Sequence, residues 1–369
     1  MRILITGADG FIARNFRVRL RELGHLDVAS VTRHTSAAEL AKAAAEADIA
    51  FHLAGVNRPK DDSEFARGNA GFTESVAVAL RAAGRRVPVV YASSTQAERD
   101  NEYGRSKLAA EEVLRSYAAD TGAPVWIFRL TNVFGKWSRP NYNSAVATFC
   151  HQVANGLPVT VNDPAVPLRL VYIDDVVAAF VAILDAPPLP GFAEVSPVYE
   201  STVGEVAKVL QEFAASRKSL VTARVGTGLV RALYATYVSF LPPDAFAYDV
   251  ARHGDPRGVF VEMLKTPDCG QFSYFTAHPG ITRGEHYHHT KTEKFLVIRG
   301  IAKFGFRNID SGATHEIVTR GGEARIVETI PGWTHNISNV GDEELIVMLW
   351  ANEIFDRERP DTVGMKVNP

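Results

Sequence analysis

Two histidines and a glutamate in the second half of the chain have the residue types and spacing of metal ligands. His286 and His288 are two residues apart, so a β-strand would project both imidazoles from one face. Glu293 follows a short polar turn, and His335 ends a later Gly-x-x-His sequence. Imidazoles and a carboxylate suit a divalent transition metal. We therefore predict a metal centre formed by His286, His288, Glu293 and His335, with zinc as the favoured occupant and iron as the alternative.

The segment from Gly280 to Gly300 resembles the first signature motif of the cupin superfamily at every motif position. A second, looser motif runs through Gly332 and His335, with Ile330 where the family has proline. The resemblance implies a small β-barrel that holds the metal. The alternative interpretation is that these histidines lie on the surface of a β-rich domain.

A second set of reactive side chains lies in the first half of the chain. Tyr103 and Lys107 are four residues apart in a predicted helix, so they share one helix face. An ammonium near a phenol favours the phenolate and lowers the pKa of the tyrosine, which can then exchange a proton near neutrality. Ser94 ends the strand before this helix and would orient a substrate carbonyl. Catalytic residues are therefore predicted at Ser94, Tyr103 and Lys107.

A glycine-rich turn at the start of the chain predicts a dinucleotide site. A short apolar strand, Arg2 to Thr6, runs into Gly7 and Gly10, and a helical pattern follows. Such a turn lets backbone N–H groups approach a pyrophosphate at the positive end of the helix. A later strand, Ile49 to Leu53, ends in small residues that would pass close to the cofactor. The predicted cofactor-binding residues are Gly7, Gly10, Phe11, Ile12, Arg33, Leu53, Ala54, Tyr103 and Lys107.

Arg33 decides which nicotinamide cofactor we expect. It follows the second predicted strand, Asp27 to Val31, where a carboxylate would bind the ribose hydroxyls of NAD. An arginine there pairs instead with a 2′-phosphate, so the sequence favours NADPH. The alternative interpretation is a solvated surface arginine.

The elements that carry these residues indicate two domains. Strands and helices alternate in the first half, which predicts an α/β domain with a doubly wound parallel sheet of the Rossmann type over residues 1–243. Short strands with glycine-bearing turns follow Leu241-Pro-Pro243 and predict a β-barrel over residues 244–369. A chain of 369 residues also exceeds one typical core.

Composition excludes several classes of partner. Hydrophobic residues make up 46% of the chain and charged residues 22%, which is typical of a soluble globular protein. A net charge of −2 gives no reason to expect nucleic acid or an anionic membrane as partner. The two cysteines are far apart, and a strand begins at Arg2, so we expect a cytoplasmic protein with no signal peptide or membrane segment.

The first domain resembles the extended short-chain dehydrogenase/reductase family. The resemblance rests on the glycine turn, His52-Leu-Ala-Gly55, the serines that end the fourth strand, and Tyr103-Gly-Arg-Ser-Lys107. The interval from Ser94 to Tyr103 is short for the family, so Ser93 and Thr95 stay open as alternatives for the orienting hydroxyl. Arg129 to Gly135 and Arg169 to Asp175 look like the segments that hold a nucleotide-sugar in such reductases.

The whole chain resembles the CapF family of capsule and O-antigen enzymes. The barrel sequence Asp255-Pro-Arg257-Gly258 and the segment Arg283 to Tyr287 are similar to epimerases of the cupin type. The family resemblance implies C3 epimerisation of UDP-2-acetamido-2,6-dideoxy-4-hexulose in the barrel. It further implies NADPH-dependent reduction at C4 to UDP-2-acetamido-2,6-dideoxy-L-talose, a precursor of UDP-N-acetyl-L-fucosamine, by a homodimer.

Two other functions stay open at this point. The barrel could be a non-catalytic module for dimerisation or sugar binding, which leaves a single-activity reductase, or it could be an iron oxygenase. For epimerisation, Lys294 or Arg283 would be auxiliary cations, and the general base is unassigned. The candidate bases are Glu262, Glu285, Tyr287 and His289.

Overall fold

The structure is a computed structural model that describes residues 1–59, 61–255, 258–261, 264, 266, 270–353 and 358–369. It divides into two compact units. The first unit contains Met1–Ser144 and Leu168–Glu200, and the second contains Ala145–Pro167 and Ser201–Pro369. The helices between residues 201 and 243, which the sequence analysis grouped with the first domain, therefore belong to the second unit.

The elements up to residue 202 alternate between strands and helices. A π-helical turn spans Arg67–Gly71, and a 3₁₀ turn spans Thr95–Glu98. The strands and helices are β1 (Ile3–Thr6), α1 (Phe11–Glu22), β2 (Val28–Val31), α2 (Ala37–Glu46), β3 (Ile49–His52), α3 (Ser63–Ala66), α4 (Phe72–Ala82), β4 (Val89–Ser94), α5 (Glu102–Thr121), β5 (Val125–Leu130), β6 (Asn132–Phe134), α6 (Ala145–Ala154), β7 (Pro167–Tyr172), α7 (Ile173–Asp185), β8 (Gly191–Ala193) and β9 (Tyr199–Thr202).

Short strands dominate the rest of the chain. They are preceded by α8 (Val203–Ser219), α9 (Gly228–Val238) and a 3₁₀ turn, Pro243–Ala245. The strands are β10 (Ala247–Asp249), β11 (Arg252–Asp255), β12 (Gly258–Val261), β13 (Gln271–Ala277), β14 (Thr282–Tyr287), β15 (Glu293–Arg299), β16 (Ile301–Asn308), β17 (Thr314–Arg320), β18 (Arg325–Glu328), β19 (Trp333–Asn339), β20 (Leu345–Ala351) and β21 (Val363–Gly364).

A parallel sheet in the order β2-β1-β3-β4-β5-β8 forms the centre of the first unit. Strands β1, β3 and β4 are buried along their whole length, as expected where helices cover both faces of a parallel sheet. Apolar side chains of α2, α4 and α5 pack on one face around Leu80, Tyr91 and Leu114. The strand order reverses beside β1 and β3, the position where open α/β sheets bind ligands at the carboxyl ends of their strands.

Two antiparallel sheets form the β-rich part of the second unit, in the orders β10-β18-β15-β20-β13 and β17-β16-β19-β14-β21. Helices α6, α8 and α9 pack together in the same unit. The predicted fold class is therefore confirmed: a doubly wound parallel sheet is joined to a β-rich domain. Among the helices that the structure describes, none has the length and apolar character that crossing a lipid bilayer requires.

Candidate active sites

The four predicted metal ligands lie together in the second unit. One ligand atom from each of His286, His288, Glu293 and His335 can be chosen so that all lie within 4.8 Å of one another. The imidazole centroids are 4.8 to 5.2 Å apart, and the Glu293 carboxylate lies 3.2 Å from His288 Nε2 and 3.5 Å from His335 Nε2. Because these residues come from β14, β15, β19 and the loop after β14, the cluster draws on both antiparallel sheets.

A bulge in β14 helps to aim its histidine. His286 pairs with His335 on β19, but the register shifts between Gly284 and His286. Glu285, the extra residue, adopts a φ of 62°. A bulge of this kind bends the strand and re-aims a neighbouring side chain, at the cost of an unfavourable backbone conformation. The bulge therefore brings His286 beside its partner across the strand pair.

The protonation states of the cluster suit metal binding. Burial, followed by His335 and His288, lowers the pKa of His286 to about 4, and burial also lowers the pKa of His335. Burial opposes ionisation of Glu293, but its interactions with the neighbouring His288 and His335 outweigh burial and hold its pKa well below the ordinary value. Neutral imidazoles and an ionised carboxylate are the forms that coordinate cations.

Asp361, which lies in none of the sequence motifs, supports the loop that carries His288. Its carboxylate accepts the backbone N–H groups of His289, Thr290 and Lys291 at 2.6 to 2.9 Å, and its backbone carbonyl accepts a hydrogen bond from His288 Nδ1. A carbonyl on the far ring nitrogen selects the tautomer whose Nε2 is free to bind a metal. Sequence spacing could not reveal this contact, because Asp361 is 73 residues from His288.

The donor set fits a divalent transition metal. Three imidazoles and one carboxylate are ligands for zinc and for iron. His335 Nε2 is buried and has no hydrogen-bond partner among the described residues, which is costly unless another group binds it. The residues present are therefore compatible with a bound metal, and the four predicted ligands are those that would hold it.

The cation nearest the cluster is neither Lys294 nor Arg283, the two that the sequence predicted. Lys294 alternates with Glu293 along β15 and points away from the cluster, where its Nζ lies 2.5 Å from Glu328. Lys291 is instead the nearby cation, with its Nζ 3.8 Å from the Glu293 carboxylate. Arg283 is exposed and packs over the Phe275 ring. Strand alternation from Glu293 is the signal that could have identified Lys291.

Glu285 and Tyr287, two of the four candidate general bases for epimerisation, are in contact with other groups. The Glu285 carboxylate accepts hydrogen bonds from Asn336 Nδ2 and from the backbone of Val367, so it holds the end of the chain. Tyr287 is buried, and its ring packs against His289. Glu262 lies outside the described residues.

The first unit brings the predicted serine, tyrosine and lysine together. Helix α5 begins at Glu102, with the Asn101 side chain accepting the Gly104 N–H, and it carries Tyr103 and Lys107 on one face. Burial foremost raises the pKa of Tyr103, and a hydrogen bond from Ser94 opposes that effect. The net shift of the Tyr103 pKa is therefore upward, opposite to the lowering predicted from the sequence, because burial dominates.

Lys107 is buried, and no carboxylate in the described part of the chain forms a hydrogen bond with it. Its Nζ donates to the Ala92 carbonyl at 2.8 Å and lies 4.5 Å from the centroid of the Tyr91 ring. Burial lowers the pKa of Lys107 to about 7, and the charge of Glu111 opposes the shift. A lysine with this pKa can gain and lose a proton near neutrality.

Ser93 and Ser94 have different environments. Ser93 donates to the fully buried carboxylate of Glu111 at 2.5 Å, and the Arg129 guanidinium binds the same carboxylate at 2.7 and 3.0 Å. Ser94 instead forms the hydrogen bond with Tyr103. Thr95 begins the 3₁₀ turn that follows. Of the three hydroxyls left open by the sequence, Ser94 is thus the one hydrogen-bonded to the tyrosine.

The turn from Gly7 to Gly10, between β1 and α1, has the backbone geometry of a dinucleotide-binding turn. Gly7 has a φ of +66°, and a Cβ there would come within 2.6 Å of the Ala54 backbone, so the residues after β1 and β3 are in close approach. Helix α1 begins after Gly10 with no side-chain cap and no acidic residue in its first turn. Its N–H groups therefore remain available to a phosphate.

The other predicted cofactor residues lie around the same turn. Phe11 and Ile12 are half-buried in the first turn of α1, and Leu53 is half-buried after β3. Arg33 is exposed in the turn after β2. This chain's backbone and side chains thus fit a nicotinamide dinucleotide at the carboxyl edge of the sheet.

Two buried polar residues line this edge without having been predicted as site residues. His52 binds Thr6 and Thr73 at 2.6 and 2.8 Å and stacks on Tyr91, and burial lowers its pKa to about 3. Asn69, in the π-helical turn, binds the Ser106 hydroxyl at 2.8 Å. The Asn69 side chain also holds the Val56 backbone, at 2.8 and 3.0 Å. His52 belongs to the His52-Leu-Ala-Gly55 motif, whereas Asn69 lies outside the motifs identified in the sequence.

The predicted sugar-nucleotide segment contains a buried cation. Lys136 is almost fully buried, and its Nζ donates to Asp174 at 2.7 Å. Trp137 follows with a φ of 67° and packs near the Arg14 guanidinium. The segment thus combines an aromatic ring and cations at the same edge of the sheet.

A glycine turn after the first parallel strand, with a serine, a tyrosine and a lysine at the neighbouring strand end and helix, defines a nicotinamide-dependent oxidoreductase. The chain belongs to the NAD dependent epimerase/dehydratase family, whose model matches residues 3–191. Residues 253–363 match the polysaccharide biosynthesis C-terminal domain. The first match lies within the predicted domain of residues 1–243, and the second lies within residues 244–369.

Two known relatives match along nearly the full length of the chain, and a third matches part of it. The chain is 58% identical over 368 residues to UDP-2-acetamido-2,6-beta-L-arabino-hexul-4-ose reductase of Pseudomonas aeruginosa, covering 100% of this chain and 99% of that protein. Crystalline CapF of Staphylococcus aureus is 40% identical, with a TM-score of 0.69 over 99% of this chain and 100% of that one. UDP-glucose 4-epimerase of Thermus thermophilus in complex with NAD is 25% identical, with a TM-score of 0.51 over 58% of this chain and 84% of that one. These similarities confirm the predicted CapF-type organisation.

Proposed function

We propose that this chain is a bifunctional enzyme acting on UDP-2-acetamido-2,6-dideoxy-4-hexulose. The barrel inverts C3, and the first unit then reduces C4 with NADPH to give UDP-2-acetamido-2,6-dideoxy-L-talose for UDP-N-acetyl-L-fucosamine synthesis. The observation that carries the proposal is full-length similarity to a hexulose reductase, combined with the four clustered metal-ligand residues in the second unit.

Reduction depends on three side chains of the first unit. Bound NADPH would supply the hydride to C4. Ser94 hydrogen-bonds the substrate carbonyl and Tyr103, and Tyr103 donates a proton to the oxygen at C4 as negative charge develops there. Lys107 shares the helix face of Tyr103, and as an ammonium it stabilises the phenolate left behind.

Epimerisation depends on the acidity of the C3 proton, which lies next to the C4 ketone. A metal held by His286, His288, Glu293 and His335 would act as a Lewis acid toward that carbonyl. Lys291 holds a positive charge beside the same cluster, where it favours negative charge on the substrate oxygen. Because reduction consumes the ketone, it also prevents C3 from exchanging again.

The cofactor, metal and assembly state belong to the same proposal. The exposed Arg33 after β2 supports NADPH, since a carboxylate would be expected there for NAD. We propose zinc, with iron as the alternative. A homodimer follows from the family resemblance, and the buried free thiol of Cys150 supports a reducing cytoplasm.

A deuterium-exchange assay tests the epimerase half. Tyr103→Phe is incubated with the keto-sugar nucleotide in deuterated water without NADPH, so that reduction cannot hide exchange. We expect deuterium at C3. A metal-loaded protein that incorporates none would contradict the proposal.

A second variant separates the two activities. His288→Ala should lose metal and C3 exchange while NADPH binding, measured by fluorescence titration, stays within twofold of the parent. Loss of NADPH binding as well would contradict independent sites.

A single-activity reductase is the second candidate function, because the name of the 58% identical relative describes a reductase alone. In that case the second unit would bind the sugar or a second copy of the chain. A single-activity reductase would reduce a supplied ketone but would not exchange the C3 proton for deuterium.

A further inference from the structure

The strand pairing around Glu293 continues beyond the end of β20. Glu293 pairs with Ala351, and the Asn352 N–H then donates to the Thr292 carbonyl at 3.1 Å. One step further, Glu353 is the residue opposite Lys291. Paired residues of antiparallel strands point to the same face, and the face alternates at each residue. Lys291 and Glu353 therefore belong to the face that carries the Glu293 carboxylate.

The contact of Lys291 agrees with this assignment, and Glu353 lies beside helix α9. Lys291 Nζ lies 3.8 Å from the Glu293 carboxylate. The Glu353 carboxylate lies 3.4 Å from the Arg231 guanidinium, and its side chain is 22% exposed. The charges that act on Glu353 are those of Arg231, Asp361, Lys291 and His288. Glu353 is thus a partly exposed carboxylate that interacts electrostatically with Lys291 and with His288 of the cluster.

The environment of Glu353 strengthens it as a base. Burial foremost raises its pKa, the carboxylate of Asp361 adds to the effect, and Arg231, Lys291 and His288 oppose it. A carboxylate whose conjugate acid is weaker than usual accepts a proton from carbon more readily.

Other described acids near the cluster accept hydrogen bonds of 2.9 Å or less, whereas the ion pair between Glu353 and Arg231 is 3.4 Å long. The Glu285 carboxylate binds Asn336 and the Val367 backbone, and the Asp361 carboxylate accepts three backbone N–H groups. The Glu328 carboxylate binds Lys294. Among the described carboxylates around the cluster, Glu353 combines partial exposure with the correct strand face.

We propose that Glu353 is the general base that removes the C3 proton. This inference rests on the proposed epimerase function. The C3–H bond breaks and its proton passes to the Glu353 carboxylate, while its electron pair forms the C3–C4 double bond and the carbonyl π pair moves to the C4 oxygen. A proton from water on the opposite face of C3 then restores the ketone with inverted configuration, and Glu353 returns its proton to solvent.

Deuterium exchange at C3 is the primary test, in the Tyr103→Phe background without NADPH. Adding Glu353→Gln should slow exchange by about 10²-fold or more, the usual contribution of a general base. Metal content by atomic emission should match that of the parent. With Glu353→Ala, added formate should restore exchange in proportion to its concentration, because a small carboxylate can occupy the vacated space.

Glu316→Gln is the matched control. Glu316 is an exposed carboxylate on β17, paired with Lys303 at 3.1 Å, and its substitution should leave exchange unchanged. If Tyr103→Phe alone fails to exchange, the proposed epimerase function is wrong. If Tyr103→Phe exchanges but Glu353→Gln matches its rate, or loses its metal, or if Glu353→Ala gains nothing from formate, the assignment of Glu353 is overturned.

Discussion

Each unit of the molecule contains a buried lysine whose pKa is shifted, and the two shifts have opposite directions. Lys107 is 4% exposed and Lys294 is 2% exposed. Lys107 donates to a backbone carbonyl, and its pKa falls to about 7. Lys294 lies 2.5 Å from the Glu328 carboxylate and near the Tyr248 hydroxyl, and its pKa rises well above the ordinary value.

The difference shows that burial alone does not decide whether a lysine is charged. Burial penalises both ammonium groups, but only Lys294 has an ionised carboxylate in direct contact to compensate. Glu328 is held further by Tyr234 at 3.0 Å and Arg217 at 3.4 Å, so the pair belongs to a network. A lysine kept permanently charged in this way suits structure, whereas one poised near neutrality suits proton chemistry.

Replacing each lysine by methionine should separate their roles most clearly in the rate of reduction. Lys107→Met should slow reduction of the C3-inverted ketone by about 10²-fold or more, because Tyr103 loses the cation on its helix face. Lys294→Met should retain reduction. NADPH oxidation under saturating substrate measures both. Equal rates in the two variants would show that Lys107 has no special part in the reaction.

The same two variants should differ in stability. Lys294→Met leaves the buried Glu328 with only the more distant Arg217 as a cation, at 3.4 Å, and should destabilise the second unit by about 3 kcal/mol. Lys107→Met removes a poorly compensated ammonium and should cost far less. Hydrogen exchange of the β15 and β18 amides reports the local free energy for Lys294. The double variant Lys294→Met/Glu328→Leu is the control, and it should recover most of the loss if the unpaired charge is its cause.

Stability should also depend on pH with opposite signs for the two lysines. Between the folded pKa of Lys107, about 7, and its ordinary value, 10.5, the unfolded chain binds one more proton than the folded chain. Stability therefore rises with pH across that window, on the order of 2 kcal/mol between pH 7 and 9 relative to Lys107→Met. Lys294 contributes stability that is fully present below its unfolded pKa and is lost only as pH rises through its higher folded pKa. Chemical unfolding at both pH values measures the difference, and parallel curves would contradict it.

An exposed ion pair should give the smallest effect. Lys303 and Glu316 are 3.1 Å apart on neighbouring strands, but solvent screens them. Lys303→Ala should change the free energy of unfolding by less than about 1 kcal/mol, measured in the same unfolding experiment. A larger loss would mean that proximity matters more than burial in distinguishing Lys294 from other lysines.

The sequence by itself determined the residue types and local spacings of both sites. Tyr103 and Lys107 share a helix face, and His286 and His288 share a strand, because both periodicities depend only on backbone geometry. The capping box that begins α2 at Ser36 and the boundaries of β18 were likewise predictable from neighbouring residues. Strand alternation would also have separated Lys291 from Lys294.

Only the tertiary structure decided which groups support these residues and how they titrate. Asp361 reaches the loop after β14 from 70 residues away, and Glu111 joins Ser93 to Arg129 across two strands and a helix. Asn352, next to Glu353, meets the segment before β15 because β20 pairs with β15. Burial and long-range pairing set the pKa values, and both arise only when distant segments of the chain return to the same place.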